Sequence, residues 1–125
     1  GVNCNGFMQV DGGELSVCNY GEDIVHPIYP DAHASAKGIK CDSTMLIQGG
    51  KIEVLVFGKG ERCEGIEAKY DMILRGENTS IAIYANDDAI NAGEKLFVEG
   101  GNIYAYSVAN DAIDGASPLC RTVII

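Results

Sequence analysis

Basic charge is scarce in this chain of 125 residues: nine Lys and Arg stand against 18 Asp and Glu, for a formal net charge of −9. No run of Lys or Arg is long enough to lay a stripe along a phosphate backbone, so the charge points away from nucleic acid, and a polyanionic partner would need a cation between itself and the protein. The five cysteines include no Cys-x-x-Cys spacing, which argues against thioredoxin-like chemistry and against a cysteine zinc knuckle. Neither a signal peptide nor an apolar run long enough to cross a membrane is present; a chain that opens on Gly1 is compatible with processing or truncation, so location is not read from that lack. A clean 3.6-residue period is missing from every window long enough for a helix.

What is present is repetition. A small residue followed by isoleucine recurs in Gly38-Ile39-Lys40-Cys41, Gly65-Ile66-Glu67-Ala68, Ala89-Ile90-Asn91-Ala92 and Ala112-Ile113-Asp114-Gly115, at steps of 27, 24 and 23 residues. Between the copies, apolar strands end at Gly12-Gly13, Gly49-Gly50, Gly76-Glu77 and Gly100-Gly101, at steps of 37, 27 and 24 residues. Segments such as Ile52–Phe57, Ile81–Tyr84 and Ile103–Tyr106 are rich in β-branched and aromatic residues. A repeat this short cannot bury an apolar face alone and must stack on its neighbours. About three short strands and three turns fit one step, which predicts an all-β, single-chain parallel β-helix of about four to five coils. Val2, Ile39, Ile66, Ile90 and Ile113 are then one interior ladder, and Asn3, Lys40, Glu67, Asn91 and Asp114 point outward by the two-residue strand period.

The period is broken from about 19 to 37, where Pro27, Pro30, Tyr20, Tyr29 and both histidines fall. Proline cannot donate to an interior ladder, so this stretch is expected to be a loop inserted between the first two coils. A metal site from His26, His33, Asp23 and Asp31 lacks a tight pair of ligands, and two surface-loop histidines are the better reading. Cys4 and Cys41 occupy the same place in successive coils and are expected one above the other, as a disulfide or as stacked thiols. Cys18, Cys63 and Cys120 fall near turns, and the odd total leaves at least one unpaired within the chain. Residues 1–125 are expected to be one β-helix domain or a fragment of a longer one. The closing Arg121-Thr122-Val123-Ile124-Ile125 would continue the stack, cover an end, or pair edge to edge with another chain in a homo-oligomer.

Chemistry gathers on two near-identical acidic turns, Asn86-Asp87-Asp88-Ala89-Ile90-Asn91 and Asn110-Asp111-Ala112-Ile113-Asp114. Stacking brings their carboxylates to about one strand spacing, where they repel, and a hard cation would relieve the repulsion. Calcium takes six to eight oxygen ligands, which such turns can supply. The alternative is that Asn and Asp are there only because their side chains bond the local backbone. The spacing is neither that of an EF-hand nor a glycine-rich nonapeptide.

These residues carry a resemblance. An apolar strand, Gly-Gly, a β-rich strand and Asn-Asp-(Asp)-Ala-Ile-Asn/Asp-Ala/Gly, strongest from Glu64 to Gly115 and weaker back to Gly1, resembles a bacterial calcium-containing carbohydrate-binding domain family related in shape to pectate lyases. The resemblance implies a right-handed parallel β-helix, calcium held at Asp87, Asp88, Asn91, Asp111 and Asp114, and noncatalytic binding of cellulosic or acidic pectic polysaccharide by a secreted or cell-surface protein. Glu64-Gly65-Ile66-Glu67 keeps only part of the acidic turn, Lys40 stands at an outward position, and the inserted loop has no counterpart in the plain repeat. Tyr84, Tyr104 and Tyr106 offer apolar surface with a hydroxyl and are the candidate glycan contacts, with wall or core aromatics as the alternative. Tyr104 and Tyr106 share one strand parity, whereas the register of Tyr84 is unsettled by a one-residue slip in the turn. A structural or adhesive segment of a larger surface protein is the second functional class. A calcium-dependent polysaccharide lyase is the third; it would need a base, for which Lys69, Arg62 and Arg75 are nearest, although an exposed lysine at its ordinary pKa is a poor base at neutral pH.

Overall fold

The computed structural model describes residues 1–31, 33–115 and 122–124. The first coil carries β1 (Val2–Cys4), β2 (Met8–Val10) and β3 (Glu14–Asn19), and the insertion that follows carries β4 (Ile24–Val25) and β5 (His33–Ala34). The second coil is β6 (Ile39–Cys41), β7 (Met45–Ile47) and β8 (Lys51–Val56); the third is β9 (Ile66–Ala68), β10 (Met72–Leu74) and β11 (Ser80–Ala85). The fourth is β12 (Ile90–Ala92), β13 (Leu96–Val98) and β14 (Asn102–Ser107), and β15 (Ile113–Gly115) and β16 (Thr122–Ile124) belong to a fifth. Like strands pair in parallel into three walls, ordered β1-β6-β9-β12-β15, β2-β7-β10-β13-β16 and β3-β8-β11-β14. The architecture is a right-handed parallel β-helix, and no helix among the described residues is long and apolar enough to cross a membrane.

The walls form because each strand alternates. In β8, Ile52, Val54 and Val56 are buried while Lys51, Glu53 and Leu55 are exposed, the two-residue period of a half-buried strand. Register follows the expected ladder: Val2 pairs with Ile39, Ile39 with Ile66, Ile66 with Ile90, and Ile90 with Ile113. The three middle isoleucines are almost wholly buried, whereas Val2 and Ile113, at the two ends of the ladder, are 37% and 39% exposed. Parallel columns of Met45, Met72 and Leu96, and of Ile52 and Ile81, fill the rest of the core. Cys4 pairs in register with Cys41, and both are free thiols, as are Cys18 and Cys63; Cys120 lies outside the described residues. Of the closing segment, Thr122–Ile124 adds a strand beside β13, while Arg121 and Ile125 lie outside the described residues.

The glycine-rich turns stack as a column, but not with the spacing the sequence suggests. Gly13, Gly50 and Gly101 each stand just before the third-wall strand with φ of 85°, 91° and 93°, torsions that glycine adopts without strain. In the third coil this turn runs over 75–79, longer than at 48–50, so Gly76 keeps a positive φ of 102° while Thr79 takes the place before the strand. Thr79 is buried, and its hydroxyl donates to the Arg75 carbonyl at 2.6 Å.

The insertion is anchored rather than loose. Asn19 accepts the Gly21 amide at its side-chain oxygen (2.9 Å) and donates from its side-chain nitrogen to the Lys37 carbonyl (2.9 Å), clasping both ends. Inside it, β4 and β5 form a short antiparallel pair. His26 Nδ1 accepts the amides of Ile28 and Tyr29, each at 3.1 Å, so one ring nitrogen serves the local turn. Tyr20 stacks on Phe57 at 5.1 Å, tying the insertion to the turn after β8.

Candidate cation site and the aromatic face

Register brings one position of successive coils into a column. Lys37, Glu64, Asp88 and Asp111 each stand two residues before an interior isoleucine. Lys40, Glu67, Asn91 and Asp114 stand one residue after it, outward on the same wall. Because both columns are rigidly spaced by the ladder between them, charges distant in sequence are forced together.

At one end of this face the column is neutralised from within. The Lys37 ammonium is paired with Glu64 and with Glu67, the latter at 2.9 Å, and the Lys37 and Glu64 side chains are 11% and 7% exposed. Burial is the largest influence on Lys37 and disfavours its charge, but the two carboxylates outweigh it together and hold the ammonium above its ordinary pKa. Burial also raises the Glu64 carboxyl despite Lys37. The bonded geometry supports a charged lysine with Glu67 as its second counter-ion.

At the other end no such ammonium is present among the described residues. Carboxylate oxygens of Asp88, Asp111 and Asp114 all lie within 4.8 Å of one another, with Asp88 buried, Asp114 half-buried and Asp111 exposed. Among the described residues, no Lys or Arg forms an ion pair with any of the three. The Asp111 amide donates to Asp88 Oδ1 at 3.1 Å, and the Ala89 amide donates to the Asp111 carbonyl at 3.2 Å, so the adjacent coil fixes the Asp88 carboxylate and the two turns are tied together. Desolvation, followed by repulsion from Asp87, Asp114 and Asp111, pushes the Asp88 carboxyl up to about 6, against the opposing hydrogen bond from Asp111. A divalent cation fits the donor set: three hard oxygen donors converge, and Asn91 is the backbone register partner of Asp114 in the neighbouring strand.

The sequence-predicted residues therefore divide. Asp88, Asp111 and Asp114 converge. Asp87 does not join them; it is buried, with Oδ1 accepting from the Asn110 side-chain amide at 2.8 Å. The Lys37–Glu64–Glu67 cluster had a signal in the sequence, since extending the aligned phrase by one residue toward the N-terminus exposes the column, but its change of sign conceals the equivalence.

On the third wall the tyrosines separate into two kinds. Tyr84 pairs in register with Tyr106, because the one-residue slip is absorbed after the strands, in a turn that spans 86–89 in the third coil and 108–112 in the fourth. Their rings stack at 5.4 Å and 5°, and the row continues through Phe57, 5.6 Å from Tyr84, to Tyr20. Tyr20 and Phe57 are members that the repeat did not indicate: Tyr20 lies where the period is interrupted, and Phe57 opens the turn that follows β8. Tyr104 stands apart, 64% exposed over Ala82. In the stacked pair, faces are spent on one another and edges and hydroxyls are left outward; Tyr104 keeps its face open.

Of the lyase candidates, Arg75 donates through Nε and Nη2 to Gln48 Oε1, and the Lys69 ammonium sits 5.5 Å above its neighbour Tyr70. Comparison with protein-family models, with curated proteins and with solved structures found no match.

Proposed function

We propose that this protein is a noncatalytic polysaccharide-binding β-helix that works outside the cytoplasm, with a calcium ion at Asp88, Asp111 and Asp114 ordering the face that meets the glycan. The observation that carries the reading is the asymmetry of one column: Lys37 neutralises Glu64 and Glu67 at one end, and at the other three convergent carboxylates stand with no Lys or Arg ion pair among the described residues. An external cation supplies there what Lys37 supplies internally. Asn91 and water complete the oxygen shell, and Asp87 acts from beside the site. Cellulosic and acidic pectic glycans are the ligand classes, with Tyr104 as the open platform and Tyr84 and Tyr106 offering hydroxyls and edges.

The test is calorimetric titration with calcium, followed by retention on a panel of plant and bacterial polysaccharides with and without chelator. Calcium binding together with glycan retention is the expected result. If no heat of binding appears and chelator leaves the melting curve unchanged, the acidic turns are backbone-bonding turns only. A structural or adhesive segment of a larger surface protein is the second reading; it expects no retention on any glycan. Steady release of unsaturated product from polygalacturonate would instead replace binding by lyase chemistry.

A further inference from the structure

Beside the aromatic row lies an open cleft of about 590 Å³ bounded by Gly60, Glu61, Asn86, Asp87, Ala109 and Asn110, within the size range of about 300–1,000 Å³ usual for small-ligand pockets. It begins two residues beyond Tyr84 along the chain, between the third wall and the acidic column. Gly60 and Ala109 contribute little side-chain bulk, and the other four residues present carboxylates and amides.

Two of those groups are held in place. Asp87 is 6% exposed and its Oδ1 accepts from Asn110 Nδ2. Ser107 closes the loop between them: its hydroxyl donates to the Asp87 carbonyl at 2.7 Å and accepts the Asn110 amide at 3.0 Å. A carboxylate and a carboxamide fixed side by side suit neighbouring hydroxyls of a pyranose, which can donate to one and accept from the other. Fixing them before the ligand arrives removes part of the ordering cost. Among the described residues, no Lys or Arg lines the cleft. A uronate seated there would set its carboxylate against Asp87 and Glu61, whereas a neutral or amino sugar brings no negative charge and meets carboxylate acceptors beside carboxamides that can donate or accept.

We infer that this cleft is the subsite for a non-anionic, donor-rich sugar unit, so that the glycan is built of neutral or amine-bearing residues rather than uronates. The inference rests on the polysaccharide reading and decides between the ligand classes it leaves. Asp87 and Asn110 take adjacent hydroxyls, Glu61 favours an amino group, and the Tyr84–Tyr106 edge borders the next unit.

The experiment is isothermal titration of the whole chain with cellohexaose, hexaglucosamine and hexagalacturonate in calcium. At least one of the first two is expected to bind, and Asn110→Ala, at an exposed position, and Asp87→Asn are each expected to weaken it about tenfold, the scale of one lost hydrogen bond to a charged group. Glu14→Gln, exposed on β3 of the first coil and not part of the cleft lining, is expected to keep that binding within about threefold; thermal melts confirm that each variant is folded. Binding of hexagalacturonate alone overturns this subsite and leaves the polysaccharide reading standing. Binding of a neutral or amino hexamer that neither cleft variant weakens also overturns the subsite. If none of the three binds and the wider glycan panel is also not retained, both the subsite and the polysaccharide reading fail.

Discussion

Asp88 is the residue at which structure and chemistry conflict most openly. It is 4% exposed, faces two other carboxylates, and accepts an amide from the neighbouring coil. Its folded pKa of about 6 lies above its ordinary 3.8, so between these values the folded chain binds more protons than the unfolded one. Without a cation, this group's contribution to stability falls as pH rises from about 4 to about 6 and is level above that. Chemical denaturation in chelator across pH 4–7 is expected to show that decline, and Asp88→Asn is expected to flatten it and to raise the melting temperature in chelator at pH 7. A cation must compete with the same proton, so calcium affinity is expected to climb from pH 5 to pH 7 in calorimetry. Lys37 is the counter-case. Replacing it by Met leaves Glu64 buried beside Glu67 with no cation, expected to cost about 3–5 kcal/mol in urea unfolding, the scale of a broken buried ion pair. Lys37→Met combined with Glu64→Gln is expected to recover part of that loss.

At the scale of the strand, burial along a column sets what each repeat contributes. Ile66 is fully buried between Ile39 and Ile90, while Ile113 is 39% exposed in the last coil of its ladder. Ile66→Ala is therefore expected to cost about 2–5 kcal/mol and Ile113→Ala clearly less, as measured by denaturant midpoints at unchanged m-value. The ladder and the wall composition were legible in the sequence because a small residue before isoleucine recurs with strand alternation around it. The turns were less so: Gly76 is displaced from its column because Thr79 closes a longer turn with its own hydroxyl, and side-chain substitution for a glycine turn leaves no regular spacing to find. Tyr84 met the same obstacle, since its register depended on which side of the strand absorbed the extra residue. The acidic cluster was legible as repeated turns, but Asp87 and Asp88 are consecutive, and which of them converges with Asp111 and Asp114 is decided by turn torsions.

Across the whole molecule, a net charge of −9 opposes compaction and is relieved by any dissolved cation, specific or not. Screening and site binding are separable. Sodium chloride in chelator is expected to raise the melting temperature gradually, whereas calcium at matched ionic strength is expected to raise it further and to saturate, as binding to the folded state alone requires. The added shift is expected to vanish in Asp111→Asn, read by scanning calorimetry.

The clasp made by Asn19 has a consequence of its own. Because one side chain grips the Gly21 amide and the Lys37 carbonyl, the chain leaves and re-enters the coil at a fixed gate. Lengthening a closed loop carries an entropic penalty that grows only with the logarithm of its length. A short polar insertion at the exposed tip, 27–30, is therefore expected to leave the melting temperature nearly unchanged, a separation of excursion from scaffold centred on one asparagine.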